Sequence, residues 1–159
     1  SILIEEKVIG MEFSCVCLTD NTTGLLYALM PTEIVPENGT EFFCYSQKYM
    51  PGRATKFTPA RCTESHIKLI QETCIRTAQC LGLTNFARID GFLTPDNRII
   101  IVDPNSLSGM GPSSFLFREA SKSGMNHTQV INHLIETELR TYDMWQSIKK
   151  QEEAHLMNR

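Results

Sequence analysis

Two acids and an amide stand out by type and spacing. Asp90 closes Ala87-Arg88-Ile89-Asp90, and Asp103 opens Asp103-Pro104-Asn105-Ser106-Leu107-Ser108-Gly109-Met110-Gly111. Asp103 and Asn105 are i and i+2, positions that share a side of a strand. Between the acids, Thr94-Pro95-Asp96-Asn97 is a turn cluster that can join two strands as a hairpin and bring Asp90 beside Asp103. Two carboxylates and an amide oxygen on one surface are hard ligands. They suit Mg²⁺, which takes few protein ligands and completes its shell with water and phosphate oxygens. Arg88, two residues before Asp90, shares that face and can neutralise a phosphoryl group in transfer. The Gly/Ser/Pro loop 104–112 follows directly, and its N–H groups can approach an anion closely. A plain surface hairpin with an acidic end would carry the same spacing, so spacing alone leaves both readings open.

The elements that must position these residues read as a mixed pattern. Residues 2–9 predict a strand with a charged break at Glu5-Glu6-Lys7, and Gly10 allows a turn. Glu12 to Thr19 alternates as a strand, residues 20–24 turn, and Leu25 to Met30 resumes a strand. Residues 31–61 are turn-rich, with one short aromatic strand, Glu41 to Tyr45. The stretch Ser46 to Pro59, with Lys48, Arg53 and Lys56, reads as a basic loop without structure of its own, functional or mobile. Thr63 is placed to cap a helix whose apolar residues run from Ile67 to Leu81, with Gly82 closing it. Strands at Phe86 to Leu93 and Arg98 to Asp103 follow, then a short helix over 114–123 and a last helix from Asn126. In that helix Ile131, Leu134, Ile135, Leu139, Tyr142 and Trp145 recur every three or four residues, which reads as a core stripe. The charged tail from Lys149 is expected to fray. Together these predict an α+β fold: a mainly antiparallel sheet with helices packed on one side.

Composition excludes several classes. The chain has 159 residues, 42% hydrophobic and 21% charged, with a formal net charge of −3. That supports one folded domain and gives no basic surface for nucleic acid. No apolar run is long enough to span a membrane. The six cysteines, at 15, 17, 44, 62, 74 and 80, form no CxxC pair and have no histidine at ligand spacing. They read as free thiols of a reducing cytoplasm rather than disulfides or a zinc site. His66, His127 and His133 read as helix-surface or capping residues. The chain opens at Ser1 and runs straight into Ile2-Leu3-Ile4, which reads as a piece of something longer.

The pattern RxD, with an acid thirteen positions on that opens acid-x-N-x-x-x-G-M-x-x-x-S, resembles the C-terminal ATP-grasp half of the D-alanine–D-alanine ligase family. Ile4-Glu5-Glu6 followed by Ile9-Gly10-Met11-Glu12-Phe13 is similar to its adenine-linker strand and turn. Pro31-Thr32-Glu33-Ile34, the aromatic run ending Gln47-Lys48-Tyr49, Pro59-Ala60 and Gly124-Met125 also correspond, in one collinear run over residues 2–140. The resemblance implies ATP as cofactor with two Mg²⁺ ions, for which Mn²⁺ can substitute, on Asp90, Asp103 and Asn105. It implies Arg88 on the transferred phosphoryl group, Lys48 reaching the phosphates, and Tyr49 closing the loop over the site. Glu12 would hold the ribose. Glu5, Glu6 and Val8 would meet adenine, with Phe42 and Val102 lining its pocket. The Gly109 N–H would stabilise an oxyanion, and Ser113 or Ser114 would take the acceptor carboxylate, Ser114 being the better match.

The departures are Asp103 where the family usually has Glu, Pro104, Leu107-Ser108 before Gly109, Gly91 after the RID run, and Glu6. The implied partners are ATP, D-alanine and an N-terminal half of the same ligase, with a homodimer left open. The implied division is a subdomain over 1–145 and a charged helical tail over 146–159. An ATP-grasp ligase with another acceptor and a degenerate nucleotide-binding domain are the alternatives.

Overall fold

The structure is a computed structural model that describes residues 2, 4–36 and 54–157. Its centre is β1 (Met11–Thr19). On one long edge β1 pairs antiparallel with β2 (Leu26–Ala28) and then β3 (Thr32–Pro36), and on the other with β5 (Phe86–Leu93). Outside these, β4 (Ala54–Phe57) pairs with β3 and β6 (Ile99–Asn105) with β5, so the sheet order is β4-β3-β1-β5-β6. Every pairing is antiparallel. Three helices complete the chain: α1 (Glu64–Cys80), α2 (Phe115–Lys122) and α3 (His127–Met157).

The helices cover both faces of the sheet rather than one. Successive residues of β1 point to opposite sides, and both sides are apolar. Phe13, Cys15 and Cys17 pack with Ile70, Cys74 and Ala78 of α1. Val16 and Leu18 pack with Leu116, Phe117 and Ala120 of α2 and Val130 of α3. A strand buried on both faces loses the clean alternation that separates one-sided from two-sided cover. The described cysteines, 15, 17, 62, 74 and 80, are free thiols, and Cys44 lies outside the described residues.

Caps hold the helix ends as expected. The Thr63 hydroxyl accepts from the His66 N–H, and Gly82, at φ +66°, follows the end of α1. Asn126 and Gln129 bond reciprocally, backbone N–H to side-chain oxygen in both directions, to start α3. The histidines also fall as expected: His66 meets Asn97 Oδ1 at 2.9 Å and His133 meets the Thr19 carbonyl at 2.9 Å.

Several expectations are corrected. Residues 4–9 form no strand, and β3 and β4 arise within the stretch read as turns and loop. Pro31 and Pro36 punctuate β3 so closely that its Thr-Glu-Ile-Val core is masked, although only the last residue of β3 is a proline. The aromatic strand 41–45 and the rest of the loop to residue 53 lie outside the described residues. Helix α3 continues to Met157 without fraying at Lys149. Tyr142 and Trp145 are not core: they are 59% and 67% exposed, and Leu139 and Met144 on the same helix are exposed as well.

Candidate functional site

The site is built on the sheet face that α2 covers. Ser14 of β1 stands opposite Asp90 of β5, and Val16 opposite Arg88. On the other side of β5, Asp103 stands opposite Asp90 and Asn105 opposite Arg88. The expected hairpin register is therefore present, but through a device that spacing does not reveal. The register shifts between Asp90 and Gly91, so that Gly91 faces Ile101 and Val102 is the extra, unpaired residue. Ile99 and Ile101 pack toward α1. In an unbroken strand Asp103 would share the face of Ile101. The bulge at Val102 turns Asp103 and Asn105 to the opposite face, beside Asp90. Gly91 makes this possible: a Cβ there would lie 2.5 Å from the Ile100 carbonyl oxygen and 3.0 Å from Phe13 Cζ. The bulkier residue usual in the family does not fit this packing.

Arg88 and Asp90 form a forked ion pair, Nη2 to Oδ2 at 2.9 Å and Nε to Oδ1 at 3.1 Å. The Ser14 hydroxyl donates to Asp90 Oδ1 at 2.7 Å, and Arg88 Nη1 donates to the buried Ser108 Oγ at 3.1 Å. The pair is thus fixed at both ends. Burial pushes the Asp90 carboxyl above its ordinary value, against the opposing pull of Arg88 and Ser14, and the nearby Asp103 charge adds to the rise. Asn105 donates Nδ2 to the Asp103 carbonyl at 3.0 Å, which leaves its Oδ1 for another partner. Asp103 is exposed. No group of three or more His, Cys, Asp or Glu gathers among the described residues. The donor set here is smaller, two carboxylates and one amide, and of the kind Mg²⁺ takes when phosphates complete its shell.

Beside this face lies a groove of about 920 Å³. Its lining includes Glu5, Glu6, Val8, Glu12 and Val102, five residues that the sequence singles out for a nucleotide. Met11, Ile34 and Phe92 supply apolar walls. The segment 4–9 serves the groove as irregular chain. A Cβ at Gly10 would lie 2.4 Å from the Leu93 carbonyl oxygen, so glycine lets that segment cross the sheet end. Phe42, Lys48 and Tyr49 lie outside the described residues. Gly109 and Ser113 are exposed on the loop between β6 and α2, and Ser114 is the N-cap residue of α2.

Four further residues belong to this face. Ser14 was legible as i+2 from Glu12 on one strand. Ser108 is visible only as a departure from the family pattern. Lys56 sat in a stretch read as loop; β4 places it over the Phe115 ring, 4.4 Å from the centroid. Glu119 is fully buried, accepting from the Val16 N–H at 2.7 Å and the Thr32 hydroxyl at 3.0 Å. It meets the Val16 N–H in the break between β2 and β3 on that edge of β1. Burial lifts its carboxyl well above the ordinary value.

A family model described as D-ala D-ala ligase C-terminus matches residues 1–136. The chain belongs to this family. It is 32% identical over 136 residues to a D-alanine–D-alanine ligase of Desulfotalea psychrophila, covering 86% of this chain and 41% of the relative. It is 34% identical over 143 residues to one from Halalkalibacterium halodurans, covering 88% and 45%. Among solved structures, the ligase of Coxiella burnetii superposes with a TM-score of 0.77 at 24% identity, covering 96% of this chain and 38% of that one. The VanG D-Ala:D-Ser ligase of Enterococcus faecalis does so with 0.69 at 28% identity, covering 83% and 37%. The fold is that of these ligases, and the chain spans about two fifths of their length.

Proposed function

We propose that this chain is the C-terminal ATP-grasp subdomain of an ATP-dependent ligase that joins two D-alanines for peptidoglycan precursors in the cytoplasm. What supports the reading is one juxtaposition: Arg88, Asp90, Asp103 and Asn105 on one sheet face beside a groove lined by Glu5, Glu6, Val8, Glu12 and Val102. Adenine would sit against Val8, Val102 and Phe42, and Glu12 would take the ribose hydroxyls. Mg²⁺ or Mn²⁺, as two ions, would be held by Asp90, Asp103 and Asn105 and would supply charge neutralisation on the phosphates. Asp90 keeps lone pairs for a cation while it accepts from Arg88 and Ser14.

Arg88, locked by Asp90 and Ser108, would hold the phosphoryl group as it passes to the carboxylate of the first amino acid. The amine of the second then forms the C–N bond as phosphate departs with the C–O electrons. The Gly109 N–H would meet the oxyanion, and Ser114, or Ser113 beside it, would hold the acceptor carboxylate. Lys48 and Tyr49 would close over the site. Such catalysis is positioning and electrostatics, without an enzyme nucleophile. The first substrate's pocket would come from the N-terminal half, so residues 1–159 alone would bind nucleotide without forming dipeptide. Binding by one face of the site would be on the order of mM.

The test is ADP release by the full-length ligase with ATP, Mg²⁺ and D-alanine. Asp103→Asn should lower kcat/KM by about 100-fold or more, the scale of losing an electrostatic contact at the reacting centre. Turnover that ignores this substitution, or ADP release that ignores D-alanine, contradicts the proposal.

A further inference from the structure

Helix α3 is tied to the end of the sheet opposite the groove. His133 meets the Thr19 carbonyl, Glu136 and Arg140 meet Asn21, and Glu138 Oε2 accepts from Asn85 Nδ2 at 3.1 Å. Thr19 ends β1, whereas Met11 and Glu12 at its start line the groove. Met11–Thr19 spans roughly 27 Å at the rise of an antiparallel strand. Beyond Arg140, no hydrogen bond or ion pair joins α3 to another element among the described residues. Every residue from 142 to 151 is exposed, on all sides of the helix. Such a stretch gains nothing from tertiary packing, the usual source of helix stability.

The uncovered stretch is not uniformly polar. Leu139, Tyr142, Trp145 and Ile148 are large, apolar and exposed. Positions 138, 142, 145 and 149 recur at steps of four, three and four, the spacing of a seam between two helices. Glu138 and Lys149 bracket Tyr142 and Trp145 on that seam, and Leu139 and Ile148 lie beside it. The pattern is symmetric about the point between residues 143 and 144. Turned end for end, the seam sets Tyr142 against Trp145 and Glu138 against Lys149. Glu138 keeps its Oε1 for that contact while Oε2 holds Asn85. A parallel copy would set like charge on like charge at both ends. A partner surface of one sign would meet one end of the seam and repel the other. The N-terminal half of the proposed ligase would face the groove, at the other end of the sheet, and so would not cover this stripe.

We propose that this stripe pairs antiparallel with the same stripe of a second copy of the chain, in a two-fold contact centred between Tyr142 and Trp145. Aromatic burial drives the association. The two Glu138–Lys149 pairs fix direction and register more than affinity. The contact does not depend on the ligase reading. Trp145 is the sole tryptophan, so its emission reports the seam directly. The 159-residue chain is followed by sedimentation velocity and tryptophan emission from about 1 to about 300 µM, a range over which mass action reveals a weak dimer. The mass should double, and the emission should move to shorter wavelength with it. Trp145→Glu should weaken association by about 30-fold or more, the scale of losing a central aromatic anchor. Glu138→Lys and Lys149→Glu should each be monomeric alone. Mixed together, they should form a dimer of one copy of each, because both ends of the seam then pair opposite charges.

At about 1 µM, where mass action favours the monomer, Trp145→Glu and Lys149→Glu should melt as the wild type does, since both side chains are uncovered there. Loss of association in these folded variants therefore reports the seam and not the fold. A wild-type chain that stays monomeric throughout the range overturns the proposal. So does a dimer that survives Trp145→Glu, or a mixture of the two charge variants that stays monomeric. An emission shift on adding phosphatidylcholine vesicles, with none on raising the protein concentration, assigns the stripe to a lipid surface and also overturns it.

Discussion

Gly91→Ala puts a methyl group where the sheet has no room. The new Cβ would stand 2.5 Å from the Ile100 carbonyl oxygen, about 0.9 Å short of the 3.4 Å at which ordinary contact begins. It would also stand 3.0 Å from Phe13 Cζ, and Phe13 is fully buried between β1 and α1. Neither neighbour is a flexible side-chain end, so relief must come from β6 moving away or Phe13 leaving its rotamer. Overpacking of this kind costs about 1–3 kcal/mol. At about 2–4 °C per kcal/mol for a domain of this size, the melting temperature should fall by roughly 2–12 °C. The same movement displaces the bulge at Val102, and with it the alignment of Asp103 with Asp90, so affinity for ATP with Mg²⁺ should fall as well. Thermal unfolding by circular dichroism and nucleotide titration measure the two effects. Gly111→Ala is the control, because a Cβ there meets nothing within 4 Å; its melting temperature should stay within about 2 °C of the wild type, as for other surface changes. A Gly91→Ala protein that melts and binds like the wild type would refute the bulge as the device that aims Asp103.

Glu119→Gln should flatten the pH dependence of stability. The buried carboxyl sits well above its ordinary value of 4.5, so folding takes up a proton between that value and the raised one, and stability falls as pH rises through the window. The amide oxygen can accept from the Val16 N–H, and the amide NH₂ can donate to Thr32 Oγ1 in place of the bond that the carboxyl accepts there, so the variant should match or exceed the wild type at pH 8 in urea unfolding; an unchanged slope with pH would contradict this. Trp145→Ala should change stability by less than about 0.5 kcal/mol, because the ring is 67% exposed rather than in the core. A loss of several kcal/mol in chemical denaturation would restore the core reading.

The sequence was most legible where one residue pattern served one structural purpose. Thr63 as cap, the 94–97 turn and the Asp103-x-Asn105 spacing each reappear in the structure for the reason they were singled out. The bulge was not legible, because periodicity describes regular strands and Val102 looks like any strand residue. Nor was the two-faced cover of β1, since Phe13, Val16 and Leu18 are apolar on both sides. β4 was hidden because Ala54–Phe57 is short and its pairing with β3 is a long-range fact. Trp145 misled in the opposite direction: a helical stripe states which residues share a side, not whether anything lies against it.

The most direct test of the site uses Mn²⁺ in place of Mg²⁺ with ATP on the isotopically labelled chain. Paramagnetic broadening reports distance from the ion itself. Amides of Arg88, Asp90, Asp103 and Asn105 should broaden first, Glu12 and Val102 should respond to the nucleotide, and α1 on the opposite face should be spared. Broadening centred on α1 or spread without preference would contradict the placement of nucleotide and metal on this face of the sheet.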